Sequence, residues 1–209
     1  CEFFRDARCI HRHRCARGLF AGTDTFEKSR MSQRALFLDR DGVINVDYGH
    51  VHKPDDIVFV DGIFELVEKA KKAKFIVVVI TNQAGIGKGY YSETDFYELM
   101  SWMKGKFVKH GGKIDAVYFC PFHSEHGIGY YKKDADCRKP KPGMILKAEL
   151  ELNLDLSNSI LIGDKISDIE AGIAAGISNN FLLNPRKQDE ADSSVLSTLL
   201  EVIPMMKFS

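Results

Sequence analysis

Short apolar runs, each ending abruptly in polar residues, constrain the fold of this chain most strongly. The run 76–80 contains only Ile and Val, which favour strands because they are β-branched. Runs of this length, separated by helical stretches, are typical of buried strands in a doubly wound α/β fold. We therefore predict one domain built on a parallel sheet, with strands at 35–38, 76–80, 116–119, 159–162 and 180–183 and helices at 63–73, 92–109, 144–152, 166–175 and 190–203.

The run 35–38 ends in two carboxylates, Asp39 and Asp41, separated by one residue. Ligands of open α/β sheets bind beyond the carboxyl ends of such strands. There, Asp39 can attack phosphorus to form an aspartyl-phosphate, and Asp41 can protonate the leaving oxygen and later activate water. Two adjacent carboxylates facing a phosphate require a hard divalent cation, most plausibly Mg²⁺. A solvated turn is the alternative for this motif alone, because Asp and Gly are common turn residues.

The run 76–80 is followed by Thr81 and then by a glycine-rich segment that ends at Gly87. The Thr81 hydroxyl and nearby backbone N–H groups can donate hydrogen bonds to phosphoryl oxygens, and glycines allow the backbone to approach closely. A strand followed by an ordinary turn is the alternative for this segment on its own.

Two adjacent cations, Arg138 and Lys139, precede Pro140 and Pro142 and a predicted helix. Cations can neutralise a phosphoryl group as charge develops in the transition state, and prolines stiffen the approach to the helix. Taken alone, a basic pair is more typical of solvated surface.

The run 159–162 leads into Gly163 and Asp164, so that a third carboxylate follows a strand. Asp164 can complete an oxygen ligand set with Asp39 and the backbone carbonyl of Asp41. Asp168, four residues further on, either supports that set or caps the following helix.

Nucleophile, hydroxyl, cations and metal ligand, in this order at successive strand ends, resemble the haloacid dehalogenase (HAD) superfamily phosphatases over about residues 34–176. The resemblance implies a Rossmann-like domain without a cap domain, covered by a substrate loop instead. It also implies that Mg²⁺ is bound by Asp39, Asp41 and Asp164. The catalytic residues that it implies are Asp39 as nucleophile, Asp41 as general acid and base, and Thr81, Arg138 and Lys139 as phosphoryl stabilisers.

Within the superfamily, the chain is most similar to the heptose-bisphosphate and histidinol-phosphate phosphatases. The segment Asn45–Val51 matches the sugar-contacting segment of the heptose branch except at His50, and Lys165 after Asp164 also favours that branch. The implied reaction is removal of the C7 phosphate of D-glycero-D-manno-heptose 1,7-bisphosphate, and histidinol phosphate is the alternative substrate. The implied substrate contacts are Asp47, Tyr48, Gly49, His50, Asn82, Gln83, Ala84 and Lys165.

These families often carry a structural zinc loop, written Cys-x-His and then Cys-x-Cys. Its four ligand positions are occupied here by Cys120, Phe122, Ala135 and Cys137, so that two cysteines remain. Zinc accepts mixed Cys and His ligands, and His123 or His126 can complete a site, but the spacing is no longer diagnostic. The alternative is a metal-free loop stiffened by the packing of Tyr118, Phe119, Phe122 and Tyr130.

The chain of 209 residues is 44% hydrophobic and has a formal net charge of zero. Nothing in this balance favours nucleic acid or a membrane as partner, and no run of about 18 apolar residues exists. We expect a cytoplasmic monomer that binds a small phosphorylated sugar. In such a reducing compartment, Cys120 and Cys137 are not expected to form a disulfide.

Residues 1–30 show no sustained periodicity and contain Cys1, Cys9, Cys15 and a His/Arg cluster at 11–14. We interpret this segment as a disordered or non-native extension that precedes a phosphatase domain at 31–209. A Cys/His metal site or a basic arm for nucleic acid is the alternative, although the spacing matches no zinc-finger pattern.

Two other classes of protein share parts of this pattern. A receiver-like signalling module also places an Asp, acidic metal ligands and a Lys on a doubly wound sheet, but it has no use for an acid/base such as Asp41. A non-catalytic phospho-ligand-binding protein on a degenerate scaffold is the other possibility, and the complete catalytic set argues against it.

Overall fold

The computed structural model describes residues 32–184 and 194–206, so the predicted extension 1–30 lies outside the described residues. The described residues form a six-stranded sheet in the order β3-β2-β1-β4-β5-β6, and all neighbouring strands are parallel. The predicted α/β fold is therefore confirmed. The strands are β1 (Gln33–Leu38), β2 (Ile76–Asn82), β3 (Ala116–Cys120), β4 (Leu154–Gly163), β5 (Asn179–Leu183) and β6 (Val195–Leu196).

Four of the five predicted helices form with bounds close to those expected. Helix α3 begins after Ser92, whose hydroxyl accepts from the Asp95 backbone N–H while the Asp95 carboxylate accepts from the Ser92 N–H, a capping box. The helices are α1 (Ile63–Lys72), α2 (Ala84–Gly87), α3 (Glu93–Lys109), α4 (Gly143–Leu152) and α5 (Ile166–Ala175), with 3-10 helices at Pro54–Asp56, Gly129–Tyr131 and Leu199–Met205. Helix α2 was not predicted, because its Ala-Gly-Ile-Gly sequence is typical of a turn.

The predicted helix at 190–203 is wrong over the part that the structure describes. Val195 and Leu196 pair with β5 as an edge strand, and only a 3-10 helix follows. Pro204 lies inside that 3-10 helix, and proline has no N–H to donate. The Ser197 and Thr198 backbone N–H groups donate instead to the Glu201 carboxylate.

The central strands β1 and β2 are buried on both faces, which explains their continuous apolar sequences. In β1, Leu36 and Leu38 contribute to one core cluster with residues of α1 and α3, whereas Ala35 and Phe37 contribute to a second cluster with residues of α4 and α5. Alternate side chains of a strand point to opposite faces, so β1 contributes to both layers.

The strand order reverses between β1 and β4, because the chain builds outward from β1 to β3 and then returns to β4 on the other side. In such sheets the ligand crevice lies outside the carboxyl ends of the strands at this reversal. Asp39 follows β1 and Asp164 follows β4, so both residues flank the crevice.

The two longest described connections, 39–62 and 121–142, lie at the carboxyl edge of the sheet. Their helical structure consists of the 3-10 helices Pro54–Asp56 and Gly129–Tyr131, and neither connection holds a folded cap. None of the described helices has the length and apolar character needed to cross a membrane.

Candidate active site

A cavity of about 190 Å³ opens at the carboxyl edge of the sheet, where the ends of β1, β2 and β4 meet. Most of the residues predicted to contact substrate or to act in catalysis line it. The lining residues are Asp39, Asp41, Asp47, Gly49, His50, Thr81, Asn82, Gln83, Ala84, Tyr91, Lys139, Lys165, Ser167 and Asp168.

Lys139 is buried between two carboxylates in this cavity. Its Nζ lies 2.8 Å from Asp39 Oδ1 and 2.6 Å from Asp168 Oδ1, and it donates to the Ile80 carbonyl at 3.0 Å. Burial opposes the charge on Lys139, but the two carboxylates outweigh burial, so the pKa of its ammonium group is raised. Lys139 therefore presents a permanent positive charge beside the predicted nucleophile.

The Asn82 side chain fixes the segment that carries Lys139. Asn82 Nδ2 donates to the Lys139 carbonyl, and the Lys139 backbone N–H donates to Asn82 Oδ1, each at 3.1 Å. This reciprocal pair joins the end of β2 to the cationic segment. Thr81 lies next to it, 1% exposed, and its hydroxyl accepts from Gln83 Nε2 at 2.6 Å.

Asp39, Asp164 and Asp168 form a group whose carboxylate oxygens lie within 4.8 Å of one another. Burial, followed by repulsion from Asp39, raises the pKa of Asp164 to about 7. Asp164 Oδ1 is buried and has no hydrogen-bond partner. An orphaned acceptor among crowded carboxylates is the environment that a hard divalent cation relieves, so these residues fit Mg²⁺.

The predicted metal set of Asp39, Asp41 and Asp164 differs from this group in one member. The Asp41 carboxylate is not in this group and accepts hydrogen bonds from Arg40, Asn45 and Gln83. Its backbone carbonyl remains a candidate ligand, and the acid/base role of its side chain remains a prediction.

Gly42 allows the first strand end to approach Asp164. Its φ of +95° lies in the left-handed region, and a Cβ atom at this position would overlap the Asp164 carboxylate. The glycine of the Asp-x-Asp-Gly motif thus has two roles: it adopts the left-handed backbone of the turn, and it leaves room for the Asp164 carboxylate.

The predicted substrate loop forms one wall of the cavity. Asp47 Oδ2 lies 3.1 Å from Lys165 Nζ, and Asp47 Oδ1 accepts from the Gly49 backbone N–H at 2.9 Å. Burial, followed by the charge on Lys88, lowers the pKa of His50, whose ring contacts Tyr90 edge-on. Tyr48 does not line the cavity and is 67% exposed.

Arg138, predicted to stabilise the phosphoryl group, is not brought into the cavity lining. Its Nη1 donates to the Phe122 carbonyl at 3.1 Å. Residues 136–141 form turns, in which the Arg138 N–H donates to the Ala135 carbonyl, and Asn82 holds the Lys139 backbone while the Arg138 side chain contacts the 121–131 loop.

The expectation that Cys120 and Cys137 would not pair is contradicted, because the structure joins them in a disulfide with a Cα–Cα distance of 5.4 Å. Thiols in a disulfide cannot serve as thiolate ligands, and His123 Nδ1 accepts from the Glu125 and His126 backbone N–H groups. Among the described residues, the aspartate group is the only cluster of three or more potential metal ligands. The structure therefore does not support the zinc site that the sequence left open.

Sequence reasoning missed Arg40 and Tyr91. The Tyr91 hydroxyl donates to Gln83 Oε1 at 2.5 Å, and Gln83 in turn donates to Asp41. Burial raises the pKa of Tyr91 to about 12, so its hydroxyl remains a donor at neutral pH. No local signal in the sequence distinguishes Tyr91 from an ordinary core tyrosine just before a helix.

Comparisons with known proteins agree with this geometry. Residues 136–193 match a protein-family model described as HAD-hydrolase-like. The chain is 53% identical over 179 residues to a D-glycero-alpha-D-manno-heptose-1,7-bisphosphate 7-phosphatase of Burkholderia mallei, a match that covers 84% of this chain and 95% of that protein. It is 45% identical over 170 residues to a D-glycero-beta-D-manno-heptose-1,7-bisphosphate 7-phosphatase of Vibrio cholerae, covering 81% and 91% of the two chains.

A solved structure gives the same result. The D,D-heptose 1,7-bisphosphate phosphatase of B. bronchiseptica, complexed with magnesium and phosphate, superposes with a TM-score of 0.71 at 27% identity, covering 83% of this chain and 98% of that one. Fold, site geometry and sequence similarity thus lead to one assignment: this chain belongs to the D-glycero-D-manno-heptose-1,7-bisphosphate 7-phosphatase family of the HAD superfamily.

Proposed function

We propose that this chain is a Mg²⁺-dependent phosphatase that removes the C7 phosphate of D-glycero-D-manno-heptose 1,7-bisphosphate through an aspartyl-phosphate on Asp39. One observation carries the proposal: Asp39, Lys139 and Asp41 line one small cavity, and Asp164 lies against Asp39. Phosphoryl transfer requires a nucleophile, a fixed cation, an acid/base and a metal ligand. The residues proposed for these four roles lie together at the carboxyl edge of the sheet.

In the first half-reaction, an Asp39 oxygen bonds to phosphorus while the bond from phosphorus to the C7 oxygen breaks. Lys139 lies 2.8 Å from Asp39 and so supplies positive charge to the phosphoryl oxygens as they develop charge. Asp41 gives a proton to the departing C7 oxygen. Thr81 lies beside them at the end of β2, where its hydroxyl can donate to a phosphoryl oxygen.

In the second half-reaction, Asp41 accepts a proton from a water molecule whose oxygen bonds to phosphorus, and the bond from phosphorus to Asp39 breaks. Inorganic phosphate leaves and the Asp39 carboxylate is restored. Asp39 and Asp164, with the backbone carbonyl of Asp41, would hold Mg²⁺, which neutralises charge on the phosphoryl oxygens when bound.

We assign the sugar to the part of the cavity formed by the substrate loop and the residue that follows Asp164. Asp47, His50 and Lys165 present a carboxylate, an imidazole and an ammonium group there, which suits a ligand that carries hydroxyls and a second phosphate. Burial opposes the charge on Lys165, but Asp164 and Asp47 outweigh it and raise the pKa of the Lys165 ammonium, so this group stays cationic.

Phosphate release tests the proposal. The purified protein with Mg²⁺ is offered the alpha and beta anomers of heptose 1,7-bisphosphate and, separately, histidinol phosphate. Preferential turnover of a heptose bisphosphate is expected, and the comparison gives the preferred anomer. Asp39→Asn serves as the inactive variant, and Asp55→Asn, an exposed carboxylate of the 3-10 helix Pro54–Asp56, serves as the matched control.

Each other outcome contradicts a defined part of the proposal. Preferential turnover of histidinol phosphate keeps the mechanism and overturns the substrate. No turnover of any phosphomonoester overturns the enzymatic proposal in favour of a non-catalytic binding protein. Full activity in Asp39→Asn overturns the assignment of the nucleophile.

A further inference from the structure

Arg40, between the two motif carboxylates, is the largest fully buried side chain of the described residues. Its Nε donates to Asp41 Oδ1 at 3.1 Å, and its Nη2 donates to Oδ1 and Oδ2 at 2.8 and 2.7 Å. Taking a guanidinium out of water costs several kcal/mol, and a buried ion pair is weak evidence for stability. The burial of Arg40 therefore indicates a role other than packing.

The same guanidinium reaches the substrate loop. Arg40 Nη2 also donates to the Val51 carbonyl at 2.7 Å, at the end of the loop that carries Asp47 and His50. The guanidinium lies 5.7 Å from the centre of the Phe96 ring on α3. Arg40 thus joins the predicted acid/base directly to the substrate loop.

The remaining contacts of Asp41 are weaker. Asn45 Nδ2 donates to Oδ1 and Gln83 Nε2 donates to Oδ2, each at 3.1 Å. Hydrogen bonds from a charged guanidinium are roughly twice as strong as those between neutral groups, and a planar fork fixes orientation as well as distance. Without Arg40, two long amide contacts would be left to hold the Asp41 carboxylate.

We infer that Arg40 is a positioning residue: it holds the Asp41 carboxylate in the orientation needed for proton transfer and couples that orientation to the substrate loop through Val51. The inference rests on the proposed function, in which Asp41 is the acid and base. It predicts that loss of Arg40 weakens the steps that need Asp41 and spares a step that does not.

p-Nitrophenyl phosphate separates these steps. Its nitrophenolate leaves phosphorus without a proton from Asp41, whereas hydrolysis of the resulting aspartyl-phosphate still needs Asp41 to accept a proton from water. In Arg40→Met with Mg²⁺, we expect a burst of about one equivalent of nitrophenolate, larger than in the wild type, before slow turnover. Steady turnover should fall roughly 10²-fold, the scale of lost acid/base assistance, and phosphorylated Asp39 should accumulate.

Two variants serve as comparisons. Arg40→Lys keeps the charge but loses the fork, so its loss of turnover should be intermediate. Arg34→Met is the matched control at the other end of β1, because Arg34 also donates to a backbone carbonyl, that of Ala73, and stacks 4.5 Å from the Phe75 ring centre. It should give wild-type turnover and no enlarged burst.

The alternative result is a purely structural role. If Arg40→Met is folded but keeps wild-type turnover, or slows burst and turnover equally, the inference is wrong. If Arg40→Met fails to fold, Arg40→Lys decides by the same criterion: an enlarged burst supports the inference, and its absence overturns it. A wild-type protein that hydrolyses no phosphomonoester would instead contradict the proposed function.

Discussion

The ammonium group of Lys139 lies 2.8 Å from Oδ1 of Asp39, and both residues are almost fully buried. Replacing the cation by methionine removes the charge that offsets the phosphoryl group and leaves Asp39 and Asp168 to repel each other. We expect Lys139→Met to lower kcat roughly 10²–10³-fold, as for other fixed electrostatic groups. Steady-state assays with Mg²⁺ check this. Lys141→Met, which removes the exposed ion pairs with Asp134 and Asp136, should leave kcat unchanged, and equal losses in both variants would contradict the assigned role.

Gly42→Ala should disrupt the metal group without replacing a charged side chain. The new Cβ would overlap the Asp164 carboxylate, and the φ of +95° adds strain of about 1–3 kcal/mol. We expect weakened Mg²⁺ binding, measured by calorimetry, together with lower stability. Gly176→Ala is a close control, because its φ is +90° and nothing lies within 4 Å of the added Cβ. If Gly42→Ala binds Mg²⁺ as well as the wild type does, the overlap with Asp164 does not disturb the metal group, and if Gly176→Ala weakens binding as much, the loss does not come from that overlap.

Most of the sheet and the site edge could be predicted because they depend on local sequence. An apolar run such as 76–80 fixes a buried strand, and the residue that follows it lies at the carboxyl edge whatever its long-range partners are. This reasoning predicts that Asp39, Thr81 and Asp164 lie at the carboxyl edge of the sheet, where the structure has them.

The missed features depend on contacts between segments distant in sequence. Arg40 is a charged residue in a turn motif, a context typical of solvent exposure. In the structure it is buried because the Asp41 carboxylate and the Val51 carbonyl accept its hydrogen bonds. Arg138 could not be separated from Lys139 by sequence, because the reciprocal Asn82 bonds decide which of the two faces the cavity.

The raised pKa of Asp164 predicts how the stability of the metal-free protein varies with pH. Its carboxyl group retains a proton in the folded state up to about pH 7 but loses it near pH 3.8 when unfolded. The folded state therefore binds more protons, so this group lowers the free energy of unfolding as pH rises between these values. Thermal unfolding in EDTA checks this, and Asp164→Asn should flatten the dependence. A stability that falls with pH just as steeply in the variant as in the wild type would contradict the assignment to Asp164.

Mg²⁺ should restore this lost stability near neutral pH, because a cation held by Asp39 and Asp164 favours the ionised forms of both carboxylates. At about 100 times its Kd, Mg²⁺ would stabilise the folded protein by about 2.7 kcal/mol. We expect the corresponding rise in Tm for the wild type and for Asp55→Asn, an exposed carboxylate, but not for Asp164→Asn. An undiminished rise in Asp164→Asn would place the cation elsewhere.

The disulfide between Cys120 and Cys137 gives the last prediction, because it ties the end of β3 to the segment that precedes Arg138 and Lys139. The two cysteines are 17 residues apart, and closing a loop of that length stabilises a fold by about 3 kcal/mol. We expect Cys137→Ser, or wild type with reductant, to lose stability of that order in denaturant unfolding, and reductant to have no effect on the variant. Free thiols at both Cys120 and Cys137 in the native wild type, together with stoichiometric bound zinc, would contradict the disulfide and restore the metal loop. Phe122 and Ala135, at two of the four family ligand positions, have side chains that cannot bind zinc, and the cross-link between the other two positions restrains that loop beside Lys139.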